Sequence, residues 1–179
     1  MVISTLATVQ RSPQWVAQLI GLWDKSVRTS HHFLTEAAIQ ALRPCVREAL
    51  MEVPLLAVAE EEGTVAGFIG ICEDKIEMLF VVLESIGQGV GHALVSWAIY
   101  EHGGRYIDVN EQNHHASTIY QHWGGVTVYE RTPIDDAGRP DPVLKMRWGH
   151  QPTHRHTLYP SYNIPPTHPQ PLPPSPRTI

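Results

Sequence analysis

The stretch from Lys75 to Gly104, KIEMLFVVLESIGQGVGHALVSWAIYEHGG, constrains the fold more than any other part of the chain. Ile76 to Val82 reads as a strand, and Gly87, Gly89 and Gly91 crowd into a turn behind it. Val90, Leu94, Trp97 and Ala98 then recur at helical period and give the next segment one apolar face. Gly103-Gly104 supply residues that take the left-handed conformation ending a helix. A glycine turn that runs from a strand into a helix is an anion site. The first helical N–H groups lack intrahelical partners, the helix dipole is positive there, and missing Cβ atoms let a phosphate reach the backbone. A P-loop would need Lys-Ser/Thr after Gly91, where His92 and Ala93 stand, and the dinucleotide fingerprint GxGxxG would need glycine at His92. Neither fits.

The flanking segments limit the architecture. Trp15 to Val27 has the apolar spacing of an amphipathic helix. Thr35-Glu36 opens a second helix, which Pro44 is expected to kink or divide. Leu55 to Glu60 and Val65 to Cys72 read as an antiparallel pair around Glu61-Glu62-Gly63, and Glu73-Asp74 turns into the strand at Ile76. Arg105 to Val109 is a short strand with Ile107 and Val109 on one face and Tyr106 and Asp108 on the other. Asn113 is placed to cap a helix over His114 to Trp123, and Val126 to Tyr129 and Leu144 to Trp148 close the pattern as strands. Helices, three antiparallel strands, then helix, strand, helix and two strands describe an α/β (α+β) chain. Its sheet is mixed and mostly antiparallel, flanked by helices rather than doubly wound.

Composition changes sharply after Trp148. Residues 149–179 hold nine of the 15 prolines and four of the 11 histidines, with Arg155 and Arg177 as the only charges. Such a segment buries too little apolar surface to fold alone, so 1–148 is expected to be the domain and 149–179 a disordered tail. The net charge of −5 with no dense Lys/Arg run speaks against nucleic acid and anionic membrane as partners. With no signal-peptide pattern and no apolar stretch of 18 residues, a cytoplasmic protein is expected. Cys45 and Cys72, without CxxC spacing, read as reduced and buried. No metal site is expected: His114, His115 and His122 lack i, i+4 spacing, and His150, His154 and His156 have no carboxylate or thiolate nearby.

The segment Ile86 to Gly91, IGQGVG, following the apolar triplet Leu79-Phe80-Val81, resembles the acyl-CoA motif of the GCN5-related N-acetyltransferases. The resemblance extends to Asn113 and to Tyr120 seven residues later, in a helix that ends near Gly124-Gly125. SVRTSHHFL, DVNEQN and DDAGRPDPVLKM are similar to a bacterial subgroup of that superfamily, so the likeness covers nearly all of 1–148. Ile86 stands where the family usually has Arg or Gln, Leu83 replaces a common proline, Gly125 replaces phenylalanine, and Asp141 replaces a tyrosine of the subgroup. None of these changes removes a backbone anion contact, so weaker cofactor affinity is the expectation.

The resemblance implies a splayed strand pair that forms an acyl-CoA cleft, and acetyl transfer from acetyl-CoA to a primary amine by direct attack. The acceptor would be a small molecule or a protein lysine or N-terminus; a CoA-binding regulatory module without turnover is the alternative. Leu79, Phe80 and Val81 would line the cleft and polarise the acetyl carbonyl, and Gly87, Gln88, Gly89, Val90, Gly91 and His92 would hold the pyrophosphate. Asn113 would bind the pantetheine arm. Tyr120 would donate a proton to the departing thiolate, and Asp108 would act as base through a water. His31, between the first two helices, would meet the acceptor. A monomer or homodimer is expected.

Overall fold

The computed structural model describes residues 1–31, 33–123, 126–135 and 138–149. Gly125 and the tail beyond Gly149 lie outside the described residues. In chain order the elements are β1 (Val2–Thr5), α1 (Pro13–Ser30), α2 (Glu36–Glu52), β2 (Leu55–Glu61), β3 (Thr64–Cys72), β4 (Lys75–Val81), α3 (Val90–His102), β5 (Tyr106–Asn110), α4 (His114–His122), β6 (Val126–Thr132) and β7 (Val143–Trp148). Short 3-10 turns cover Thr8–Gln10 and Leu83–Ser85.

The strands form one sheet in the order β1-β2-β3-β4-β5-β7-β6. Every neighbouring pair is antiparallel except β4 and β5, which run parallel. That parallel pair is short. It consists of Lys75 with Tyr106 and Ile76 with Ile107, although β4 continues to Val81 and β5 to Asn110. Pairing stops where β4 bulges: Gly70 faces Met78 and Ile71 faces Ile76, so Glu77 is the extra residue against β3. A bulge bends its strand and increases the local twist. The result is a fork between the second halves of β4 and β5, the splayed pair that the motif implied.

Each sheet face buries its own core. Ile69, Ile76, Ile107 and Val109 pack with Val90, Leu94 and Ala98 of α3 and with Tyr120 of α4. On the opposite face Leu56, Val58, Phe68 and Met78 meet Val16, Leu19, Trp23 and Val27 of α1 and Ile39 and Leu50 of α2. Gly67 of β3 permits the first packing. A Cβ there would lie 2.9 Å from the Phe80 carbonyl oxygen and 3.2 Å from side-chain carbons of Leu94 and Val90.

One strand adds to the expected pattern, and two expectations are corrected. The N-terminal residues form β1, which pairs with β2 from Val2 opposite Glu60 to Thr5 opposite Ala57; its four residues are too few to show a period. Pro44 lies inside one continuous α2 and does not divide it. Both cysteines are free thiols, but Cys45 is exposed and Cys72 half-buried, so neither is a core residue.

Candidate active site

The glycine turn has the geometry of an anion cradle. Gly87 and Gly89 adopt positive φ of 79° and 87°, and Gly89 caps α3 without any side chain on the first-turn N–H groups. A Cβ at either glycine would meet nothing within 4 Å, so glycine serves backbone conformation there, not space. Gly91 differs: its Cβ would lie 3.2 Å from Cη2 of Trp123, which leans over the start of α3. Trp123 also makes edge contacts with the rings of His92 and Tyr120, with centroids 5.4 Å and 5.6 Å apart. Burial lowers the pKa of His92, which favours the neutral ring beside the cradle. Gln88 is tied into the turn. Its N–H donates to the Ser85 carbonyl at 3.2 Å and its side-chain amide to the Glu84 carbonyl at 2.6 Å, which engages its backbone donor and one of the two amide hydrogens.

The fork supplies a second set of backbone donors. Val82 N–H donates to the Ala66 carbonyl of the β3 side, and Phe68 faces Phe80 in register. Backbone groups alternate in direction along a strand, so the N–H groups of Leu79 and Val81 point the other way, into the fork. Phe80 directs its N–H to β3 and its side chain to the α1–α2 face.

On that face the Phe80 side chain forms one wall of a cavity of about 180 Å³. Trp23, Val27, Phe33, Leu34 and Leu42 give it apolar walls, while His31, Asn110, Asp135, Arg139 and Asp141 give it a polar rim. Arg139 Nε donates to Asp135 Oδ2 at 2.6 Å, and its Nε lies 3.9 Å from Asp141. An adjoining hollow of about 240 Å³ is lined by Arg28, His31, Leu34, Glu36 and Ile39.

Tyr120 is buried on α4, with its ring against Trp123 and Trp148. Burial raises its pKa well above that of an ordinary phenol, which keeps the hydroxyl protonated at physiological pH. Asp108 sits 2.9 Å from Lys75 Nζ, which also contacts Glu77 at 3.3 Å. Burial works against the Lys75 ammonium, but the hydrogen bond and charge of Asp108, helped by Glu77, outweigh it and leave its pKa raised. The carboxylate proposed as base thus already holds a cation, and it lines neither cavity. Asn113 caps α4, its Oδ1 accepting the Ala116 N–H at 3.2 Å, while its Nδ2 lies 3.4 Å from His31 Nε2. Two residues from opposite sides of the fork therefore touch.

Residues 24–137 match the family model described as an acetyltransferase (GNAT) domain. The peptidyl-lysine N-acetyltransferase YjaB of Salmonella typhimurium is 33% identical over 129 residues, covering 72% of this chain and 88% of that protein. The solution structure of apo-form YjaB from Escherichia coli superposes with a TM-score of 0.71 at 32% identity, over 83% of this chain and 98% of that one. The chain belongs to the GNAT acetyltransferase family. A PaiA N-acetyltransferase from Thermoplasma acidophilum, solved with coenzyme A, shares the fold at a TM-score of 0.62 and 18% identity, over 84% of this chain and 100% of that one.

The residues of this acetyltransferase fit acetyl-CoA. Uncapped N–H groups at the start of α3 suit a pyrophosphate, and the N–H groups of Leu79 and Val81 open into the fork where a thioester would lie. Among the described residues, no group of three or more His, Cys, Asp or Glu is placed to hold a metal ion, and no helix is long and apolar enough to cross a membrane. Sequence reasoning missed Trp123 as the lid over Gly91. It also missed the cavity beside Phe80, whose lining comes from α1, α2, β4, β5 and the connections after α1 and β6 and shares no motif.

Proposed function

We propose that this acetyltransferase modifies a lysyl side chain of a peptide or protein. The observation that carries this is the cavity beside the fork. At about 180 Å³ it is smaller than the ~300–1,000 Å³ typical of pockets that enclose a drug-sized ligand. Its apolar walls suit an aliphatic stem, and a rim in which Asp135 and Asp141 outnumber the Arg139 that they flank suits a cationic head. The relatives named as peptidyl-lysine N-acetyltransferases support the same acceptor.

In this reading the N–H groups of Gly87, Gly89, Val90, Gly91 and His92 hold the pyrophosphate, and Asn113 holds the pantetheine arm. Acetyl-CoA supplies the activated acetyl group. The N–H groups of Leu79 and Val81 donate to the carbonyl oxygen as charge develops on it, and losing one such donor typically costs about 2.7–4 kcal/mol. Tyr120 gives the departing sulfur a hydrogen bond and a proton. Its raised pKa makes full transfer uphill, so the hydrogen bond carries most of the effect. The enzyme works in a bacterial cytoplasm as a monomer or homodimer, without nucleic acid or membrane as partner.

The test is acetyl-CoA consumption with a lysyl peptide, a polyamine and an aminoglycoside offered in parallel. The lysyl peptide is expected to give the highest kcat/KM. A preference for the aminoglycoside would remove the lysyl assignment, and no turnover with any amine would remove the catalytic one. Tyr120→Phe is expected to lower kcat with little change in acetyl-CoA affinity.

A further inference from the structure

Asn113 and His31 stand 82 positions apart, and their contact joins the cofactor side of the fork to the acceptor side. The direction of each hydrogen bond in this contact follows from counting protons. Asn113 Oδ1 accepts the Ala116 N–H, so the atom turned toward His31 is the amide nitrogen, which can only donate. His31 Nε2 is therefore an acceptor. On the other side of the ring, Nδ1 lies 2.7 Å from Ser30 Oγ. The single Ser30 hydroxyl proton goes to the Ser26 carbonyl at 2.8 Å, so Ser30 Oγ accepts and His31 Nδ1 carries the proton. Phe33 tilts against the ring at 5.4 Å between centroids and helps fix its plane. These two contacts fit the tautomer that carries its proton on Nδ1 and its lone pair on Nε2.

This ring belongs to the wall shared by both cavities. Among the described residues, the charged groups that line these cavities with it are Arg28 and Glu36 on one side and Asp135, Arg139 and Asp141 on the other. Arg28 pairs with Glu36, and Arg139 with Asp135. A base is needed here, because a lysine amine with a pKa near 10.4 is neutral in roughly one molecule per thousand at neutral pH.

We propose that His31 is the base for the acceptor amine, and that the Asn113 amide occupies its Nε2 lone pair until the cofactor arm takes that amide. This rests on the acetyl-transfer reading above and names the group that completes it. The incoming ammonium gives one proton to Nε2, from which it passes to solvent. The exposed nitrogen lone pair forms the C–N bond to the acetyl carbonyl carbon, and the C–S bond breaks with its pair on sulfur. The second proton that the nitrogen sheds balances the one that sulfur gains. Ser30 is a positioning residue: by accepting from Nδ1 it keeps the lone pair on Nε2, the base-and-orienter arrangement of activated nucleophiles.

His31→Gln is the first test, since its Oε1 can still accept from Asn113 but has no useful basicity. The variant is expected to keep the parent melting temperature and acetyl-CoA affinity. Its kcat/KM for a lysyl peptide should fall at least about 100-fold, and the acid limb of the pH profile should vanish. Nitrogen NMR of the His31 ring in the full chain is the second test, and it needs no turnover. A protonated Nδ1 and an unprotonated Nε2 are expected in the free protein, with the Nε2 resonance moving when coenzyme A is added. A ring protonated on Nε2, or His31→Gln within about threefold of parent kcat/KM, overturns the proposal. So does a loss confined to Asp108→Asn, which would move the role to that carboxylate. A correct tautomer with a coenzyme A response, but no acetylation of lysyl peptides, would instead refute the lysyl acceptor while supporting the His31 assignment.

Discussion

Arg11 is a buried cation that serves carbonyl oxygens, not a carboxylate. Its Nε donates to the Leu6 carbonyl at 3.2 Å, and its Nη1 lies 3.2, 3.0 and 2.7 Å from the carbonyls of Leu50, Met51 and Val53. The last turn of α2 has no basic residue of its own, and Val53 rather than glycine follows it. Arg11 therefore caps from outside a helix end that leaves carbonyls without intrahelical partners. Burial lowers its pKa, yet a guanidinium so placed remains charged. Arg11→Met keeps much of the stem and removes every donor. It is expected to cost about 2–4 kcal/mol and to lower the melting temperature by about 5–15 °C, read by thermal denaturation. A fall below about 2 °C would show that water replaces the guanidinium at these carbonyls. Nothing in the sequence around Arg11 signals this role, because the α2 carbonyls that it serves lie 39 to 42 positions away and are backbone atoms. Tyr120, Asn113 and His31, by contrast, could be singled out in the chain because segments that resemble the family carry them. Trp123, and the contact between His31 and Asn113, took on meaning only once the fold brought these residues close.

At the scale of elements, the α1–α2 pair builds much of the wall of the cavity proposed for the acceptor, and an exposed ionic lattice ties its two helices together. Asp24 pairs with Arg28 at 3.0 Å and with Arg43 at 2.9 Å, while Arg28 Nη2 and Gln40 donate to Glu36 at 2.9 and 2.7 Å. The hydrogen bond from Arg28, followed by that from Gln40, pulls the Glu36 carboxyl down to about 2. A depressed carboxyl stabilises the fold fully above its ordinary value of 4.5 and loses that contribution as the pH falls toward 2. The lattice is solvent-exposed, so its effect should be local: the α1–α2 connection that carries His31 loosens before the sheet does. Trp23 fluorescence followed from pH 5 to 2.5 in a variant whose other tryptophans are replaced should show this step. Glu36→Gln should remove it, and superimposable curves for the two proteins would dismiss the mechanism. Elements defined by local pattern, such as α3 with its glycine turn and the β2–β3 hairpin, were readable from the chain. β1 was not, because an edge strand of four residues owes its form to β2. The insertion of β7 between β5 and β6 is likewise a matter of long-range pairing that no local window contains.

At the scale of the whole molecule, every strand pairing among the described residues is complete by Trp148. That residue closes the β6–β7 ladder opposite Val126, and its N–H donates to the Arg105 carbonyl at 2.9 Å, tying the last strand to the entry of β5. Both buried clusters are built from residues up to 148. Among the described residues, the cradle, the fork and the two cavities draw on none beyond 141. The proline-rich composition of 149–179 adds little apolar surface that a core could use. We therefore propose 1–148 as the acetyltransferase domain, and a chain ended after Trp148 should fold and bind like the 179-residue chain. Acetyl-CoA provides the comparison, because a ligand that binds only the folded state stabilises it by RT ln(1 + [L]/Kd), about 2.7 kcal/mol at 100 times Kd. The shortened and full chains should show the same melting temperature and the same rise with added acetyl-CoA, each within about 2 °C. A lower melting temperature with an unchanged rise would place part of 149–179 against the sheet. An unchanged melting temperature with a smaller rise would place it at the cofactor, and either result would move the domain boundary beyond Trp148.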